Sequence, residues 1–214
     1  MIRQCILLLV AACCLVECQI DTTNCDGYST AISACNTNNG LTGNSRLSFD
    51  GLPALATGDL TVTCGNLNNI SKAVKCIADT HIACGTTETK QLEASSDDYT
   101  EILNTLCTRK DEYDGTCVNA DTIGSCASTK LADNNITISN SPTFAESTTY
   151  TCKFGEYYLS CANTDSQLEA CTKTKTKEIY VSLISELRPD ICGASSIVSS
   201  VAVLVVSLLA AFSN

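Results

Sequence analysis

Apolar residues recur at helical spacing in several segments of the chain. Two sets occupy positions i, i+3, i+4 and i+7: Tyr99, Ile102, Leu103 and Leu106, and Tyr180, Leu183, Ile184 and Leu187. Two further sets have the same spacing, Tyr28, Ala31, Ile32 and Cys35, and Phe154, Tyr157, Tyr158 and Cys161. A fifth set, Leu67, Ile70, Val74 and Ile77, has a similar period. This spacing places each set on one face of a helix, so the pattern predicts amphipathic helices around a core.

Helix boundaries are indicated at two places. Ser95 and Asp98 stand at capping-box positions ahead of the Tyr99 stripe, so we expect a helix to begin there. Pro189 should end the last helix shortly before Cys192.

The remaining segments have weak patterns and are rich in Asn, Gly and Thr. Alternating apolar pairs within them favour short strands: Leu47 and Phe49, Leu60 and Val62, and Ile136 and Ile138. The predicted fold class is therefore mostly α and disulfide-rich, with long loops and at most minor β-hairpins.

The first 18 residues have the pattern of a secretory signal peptide. Arg3 precedes an apolar run from Ile6 to Val16 that is too short to span a membrane, and small residues precede the expected cut. Cleavage after Cys18 would leave Gln19 as the new N-terminus. A buried N-terminal helix is the alternative, but the run has no polar face.

Residues 193–214 have the pattern of a signal for attachment of glycosylphosphatidylinositol (GPI). Small residues at Gly193, Ala194 and Ser195 are followed by an uncharged segment that is apolar from Val201 to Phe212. We expect attachment at Gly193, or at Ala194 or Ser195, and removal of the residues C-terminal to the attachment point. A single-pass membrane anchor is the alternative, although the apolar run is short for a spanning helix.

The cysteine count indicates the class of protein. The chain has 16 cysteines, and loss of Cys5, Cys13, Cys14 and Cys18 with the signal peptide leaves twelve. Twelve are expected to form six disulfides: Cys25, Cys35, Cys64, Cys76, Cys84, Cys107, Cys117, Cys126, Cys152, Cys161, Cys171 and Cys192. No metal is expected, because no Cys-x-x-Cys pair remains and His81 is the single histidine.

The cysteine spacings predict two tandem repeats. The steps between successive cysteines are 10, 29, 12, 8 and 23 in the first set, and 9, 26, 9, 10 and 21 in the second. Repeat 1 would cover 19–107 and repeat 2 would cover 117–192, with 108–116 as a linker. Thr61-Val62-Thr63-Cys64 matches Thr149-Tyr150-Thr151-Cys152 in this alignment.

A second alignment stays open. Gln91-Leu92-Glu93-Ala94 recurs as Gln167-Leu168-Glu169-Ala170, and matching these segments leaves Cys64 and Cys171 unmatched. That alignment predicts a Cys64–Cys171 bridge between the repeats. If each repeat instead closes on itself, roughly 225 pairing schemes remain.

Charge and short motifs bear on partners. The chain has a formal net charge of −10, which disfavours nucleic acid as a partner because phosphate binding needs a basic surface. Asn69 and Asn135 begin N-glycosylation sequons. Lys173, Lys175 and Lys177 suit either a solvated helix start or contact with acidic lipid or glycan.

No catalytic residue and no cofactor are predicted. His81 lacks a nucleophile motif such as Gly-x-Ser-x-Gly, and the carboxylate pairs Asp97-Asp98 and Asp111-Glu112 lie in polar runs typical of solvated surface. Residues 110–121 fit a calcium-loop template in part, but the first position is Lys110, where a carboxylate is required.

In layout the chain resembles the glial-derived neurotrophic factor receptor alpha family, in which a lipid-anchored ectodomain is built from repeated helical cysteine-rich modules. The resemblance covers architecture alone, since the adjacent cysteine doublets of that family are missing. We expect a GPI-anchored, non-enzymatic binding module on the outer leaflet of the plasma membrane, with an extracellular protein or glycan as ligand. The alternatives are a protective surface-coat glycoprotein and an extracellular hydrolase.

Overall fold

A computed structural model describes residues 25–48, 53–57, 60–139 and 141–193. The signal peptide (1–18), Ala194, Ser195 and the rest of the C-terminal signal lie outside the described residues. Within those ranges the protein is mostly helical and rich in disulfides, as the sequence predicts. Eight α-helices have both ends within that part: α1 (Tyr28–Asn38), α2 (Thr61–Gly65), α3 (Leu67–Cys84), α4 (Ser96–Thr108), α5 (Ala120–Asp133), α6 (Phe144–Thr164), α7 (Ser166–Glu169) and α8 (Thr176–Glu186). Residues 190–193 are helical as well.

The helices pack in two groups. In the first half, residues 25–107, α1 and α4 both pack against α3. In the second half, residues 117–192, α5 and α8 both pack against α6. Contacts between α4 and α8 join the two halves.

The predicted helical stripes form much of the core. Every residue of the Tyr99 and Tyr180 sets is buried, and so are Ile70, Val74 and Ile77 on α3. Burying an aliphatic or aromatic side chain of this size contributes about 1.5–3 kcal/mol. The two stripes therefore fix α4 and α8 in the interior, where the halves meet.

The predicted start of α4 is confirmed. The Ser95 hydroxyl accepts a hydrogen bond from the Asp98 backbone N–H, and the Asp98 carboxylate accepts one from the Ser95 N–H. A second capping box, Thr143 with Glu146, begins α6 and was not predicted.

The strand expected at Leu60 and Val62 is wrong. Residues 61–65 form the helical turn α2, in which the Cys64 N–H donates to the Leu60 carbonyl over 2.8 Å. Leu60 is buried whereas Val62 is 74% exposed, so the two residues do not share a face as they would in a strand. Ile136 and Ile138 are half-buried in irregular backbone, and Phe49 lies outside the described residues.

The disulfides close each half on itself. Numbered within each half, the first cysteine pairs with the fifth, the second with the fourth and the third with the sixth. The pairs are Cys25–Cys84, Cys35–Cys76 and Cys64–Cys107, then Cys117–Cys171, Cys126–Cys161 and Cys152–Cys192. Cys64 and Cys171, which the second alignment would join, therefore belong to different halves and different disulfides.

Candidate binding site at the junction of the two halves

Residues 108–116, predicted as a linker, are fixed in place by a buried tyrosine. Tyr113 is 2% exposed, and its hydroxyl donates a hydrogen bond to the Ala56 carbonyl. Burial raises the pKa of Tyr113, because the phenolate would lose its hydration. The segment thus contributes a core side chain to the first half.

The start of α8 holds the same segment from the other side. The Lys173 ammonium donates to the carbonyls of Lys110 and Tyr113, at 2.9 and 3.1 Å. The Asp114 N–H donates to the Thr176 hydroxyl over 2.9 Å, and Thr176 is fully buried. Of the three alternating lysines, Lys173 therefore secures the junction, while Lys175 and Lys177 pair with Glu178 and Glu169.

An ion-pair cluster also crosses the junction. Arg109 contacts Glu112 of the linker at 2.8 Å and Glu178 of α8 at 3.4 Å. Hydrogen bonding from Lys175 is the main cause of the lowered pKa of Glu178, with a further contribution from Arg109. Because these carboxylates are exposed, the pairs contribute little to stability and mainly orient the side chains.

A groove with a volume of about 490 Å³ lies between α2, the linker and Lys173. This is within the range of sites that hold small ligands or a peptide side chain. Its polar lining includes Thr61, Lys110, Asp111, Asp114 and Lys173.

Charges of both signs face the groove, and one of them is held ionised. The Thr116 hydroxyl and backbone N–H donate to the Asp114 carboxylate over 2.6 and 3.0 Å, which lowers the pKa of Asp114. Val62 projects into solvent immediately next to the groove residue Thr61. The groove therefore offers hydrogen bonds and ion pairs, and the exposed apolar residue Val62 is the chain neighbour of one of its lining residues.

Asp114 also approaches Cys117 and Cys171, with the potential ligand atoms within 4.8 Å of one another. Both sulfurs are joined in a disulfide, so neither is a thiolate that could bind a metal. We therefore assign no metal to this cluster.

His81, the single histidine, is buried and belongs to a polar cluster whose other members, Tyr28 and Glu93, are half-buried. The Tyr28 hydroxyl is 3.0 Å from His81 Nδ1, and a Glu93 carboxylate oxygen is 3.8 Å from Nε2. The three residues link α1, α3 and the segment before α4. Tyr28 precedes His81 by 53 positions, so spacing gave no sign of the contact.

A second, much smaller cavity lies between the halves, lined by residues including Glu93, Tyr99, Phe154 and Arg188. Its volume of about 20 Å³ suffices for one water molecule but not for a larger ligand. Within the described part of the chain, the buried Arg188 Nε has no hydrogen-bond partner, which fits a bound water.

Of the predicted site residues, Cys64 lines the groove, while the two sequon asparagines, Gly193 and the Asp97-Asp98 pair are not among its lining residues. Asn135 is exposed and Asn69 is half-buried. Gly193 is exposed and directly follows Cys192 of the last disulfide. Asp97 pairs with Lys75 on the surface, and Asp98 serves as a helix cap.

The described helices include none that is both long enough and apolar enough to cross a membrane. The disulfide content is that of an extracellular or secreted protein. No protein-family model, curated protein or solved structure matches the chain.

Proposed function

We propose that the protein is a GPI-anchored extracellular binding module, without catalytic activity, that recognises a protein or glycan through the groove between its halves. The observation that carries this proposal is the groove itself. It is lined by polar groups of both signs and fixed by Tyr113, Lys173 and Thr176. Such a preformed site binds without a large ordering cost.

The location part of the proposal rests on chemistry and sequence together. Six disulfides need an oxidising compartment, and the predicted signal peptide would direct the chain into the secretory pathway, which is one. The small-residue patch at Gly193 and the apolar segment after it support lipid attachment.

The two halves are, in this proposal, tandem copies of one three-helix, six-cysteine unit. The same order of disulfide pairing in both supports this, and so does the packing of two helices on a central one. In the first unit the central helix is interrupted at Asn66, between α2 and α3, whereas α6 is continuous. The groove lies beside that interruption, so the copies would have diverged where binding is proposed.

Release from the cell tests the anchor. The full chain is expressed in cultured animal cells, which are then treated with phosphatidylinositol-specific phospholipase C. The protein should move into the medium, and its C-terminal peptide should carry the cleaved glycolipid at Gly193, Ala194 or Ser195. Retention on the cells with residues 201–212 still present would instead indicate a membrane span.

Binding is tested with soluble residues 19–193 on arrays of immobilised extracellular proteins and glycans. Saturable binding to one component is expected. Asp111→Lys or Val62→Asp should then weaken it about tenfold, the effect of losing about 1.4 kcal/mol. Asp133→Lys is the matched control, since Asp133 is exposed at the end of α5 that is remote from the linker.

A surface-coat glycoprotein is the second candidate, favoured by the net charge of −10. A coat would be abundant on the cell and would show no saturable binding on either array. If the Asp111→Lys and Asp133→Lys variants bind the ligand equally well, the ligand does not bind in the groove, and its site lies elsewhere on the protein.

A further inference from the structure

The two glycosylation sequons lie in different local structures. Asn69, Ile70 and Ser71 belong to α3, whereas Asn135, Ile136 and Thr137 come after the end of α5. Asn135 and Thr137 are both exposed, while Asn69 and Ser71 are half-buried. An acceptor asparagine normally lies in a surface loop, so the two sequons are not equivalent.

The backbone at Asn135 forms a Schellman motif. Asn135 has a φ of 55°, its N–H donates to the Ala132 carbonyl, and the Ile136 N–H donates to the Leu131 carbonyl. In this motif the residue after the left-handed position packs against the last turn of the helix. Ile136 accordingly packs against the core that contains buried Leu131.

That packing turns the residues on either side of Ile136 outward. Asn135 and Thr137 are exposed because the side chain between them is the one that contacts the core. An N-linked glycan at Asn135 would extend into solvent and displace nothing that the structure describes.

Asn69 is half-buried beside the turn that follows α1. Its amide nitrogen faces the turn after α1, where a Cβ added to Gly40 would lie 3.8 Å from Nδ2. The Ser71 hydroxyl is buried, and no hydrogen-bond partner for it is found in the described residues. The acceptor amide and the hydroxyl of this sequon are therefore less accessible than those of Asn135 and Thr137.

The two positions also differ in their relation to the groove. Asn69 is four residues after the groove residue Gly65, so their Cα atoms are at most about 15 Å apart. α5 begins near the groove residue Thr116 and is about 21 Å long, and Asn135 lies just past its far end. A glycan at Asn69 would therefore lie beside the groove, whereas Asn135 is separated from Thr116 along the chain by the whole of α5.

We propose that Asn135 carries the protein's N-linked glycan and that Asn69 is unmodified, which keeps the groove between the halves accessible to a macromolecular partner. This inference rests on the proposed passage through the secretory pathway.

The test uses the full chain secreted or released from animal cells and two matched variants that remove only the hydroxyl of each sequon. Thr137→Ala should abolish the mass shift produced by peptide-N-glycosidase F, and Ser71→Ala should leave it unchanged. Asn135→Gly removes the acceptor asparagine itself, and glycine keeps the left-handed backbone conformation of the turn. After enzymatic release, peptide mapping should find aspartate at position 135 and asparagine at position 69.

A glycan lost in Ser71→Ala, two glycans on the native chain, or no glycan on secreted disulfide-bonded protein would each overturn the proposal. Failure of the proposed location gives a different result. If the chain stays inside the cell with residues 1–18 uncleaved, its thiols free and no glycan attached, it has not entered the secretory pathway.

Discussion

The backbone N–H of Asp114 donates a hydrogen bond to the side chain of Thr176, 62 positions later in the chain. Thr176 is fully buried and begins α8, so this contact joins the linker to the second half. Together with Lys173 and Tyr113, it makes the connection between the halves a packed part of the molecule.

We expect Thr176→Val to lower the free energy of unfolding by about 1–3 kcal/mol, because the shape is kept but the Asp114 N–H loses its acceptor. Urea unfolding followed by circular dichroism measures the change. Thr129→Val is the control, since Thr129 is exposed and its hydroxyl donates within α5, to the Ser125 carbonyl. Equal effects of the two substitutions would contradict the role of the junction contact.

We expect Lys173→Met to speed tryptic cleavage after Arg109 and Lys110, because the Lys110 and Tyr113 carbonyls lose their shared donor. Digestion of the native protein over time, with mass spectrometry of the products, measures the rate. Lys175→Met is the control. It also removes a trypsin site, close to Lys173 in the chain, but the contact that it removes is a surface ion pair with Glu178. If cleavage at the linker is equally slow in both variants, Lys173 does not secure it.

We expect reduction of the disulfides to unfold the protein at 37 °C. The chain has no tryptophan and each half has a small core, so the loops closed by disulfides supply much of the stability. Removing one native disulfide typically costs about 2–5 kcal/mol of the free energy of unfolding. The Cys35–Cys76 and Cys126–Cys161 disulfides span 41 and 35 residues, so removal of either one should lower that free energy by a similar amount. A far-ultraviolet spectrum that does not change on full reduction would refute this.

We expect alkaline unfolding between about pH 10 and 12, coupled to ionisation of buried tyrosines. Burial raises the pKa of Tyr180 to about 12, against about 10 in an unfolded chain. Since the folded pKa is the higher one, this stabilisation is fully present below pH 10 and is lost as the pH rises through 12. Its partner Tyr158, 2.7 Å away, and Tyr113 are shifted in the same direction by burial.

Tyrosinate absorbance and helical dichroism, recorded together during an alkaline titration, check this. The last tyrosines should ionise as the helical signal disappears. Complete ionisation of the 7 tyrosines in a protein that keeps its helices would show that Tyr113, Tyr158 and Tyr180 are not protected.

The sequence predicted features whose cause is local. The stripe at Tyr99 has the helical period, and the cap formed by Ser95 and Asp98 lies within one turn, so both could be found from neighbouring residues. The turn at Thr61–Gly65 was missed because two alternating apolar residues fit either a strand or one turn of helix.

Long-range contacts could not be found in this way. The contacts of Lys173 with the linker, and of His81 with Tyr28, join residues more than 50 positions apart. The similar order of short and long steps in two sets of cysteines predicted two similar units. Many pairings fit those steps, so the order of pairing needed the structure. The groove is a product of these contacts and has no motif of its own.

The Cys152–Cys192 disulfide determines how a mechanical load would enter the fold. A pull on the chain beyond Gly193 reaches Cys192 first and passes through the covalent bridge into the middle of α6. α8 lies inside the loop that this bridge closes, so tension cannot peel it away from the end of the chain. The load would therefore enter the molecule at α6, the longest of the described helices, and not at the helix nearest the anchored end.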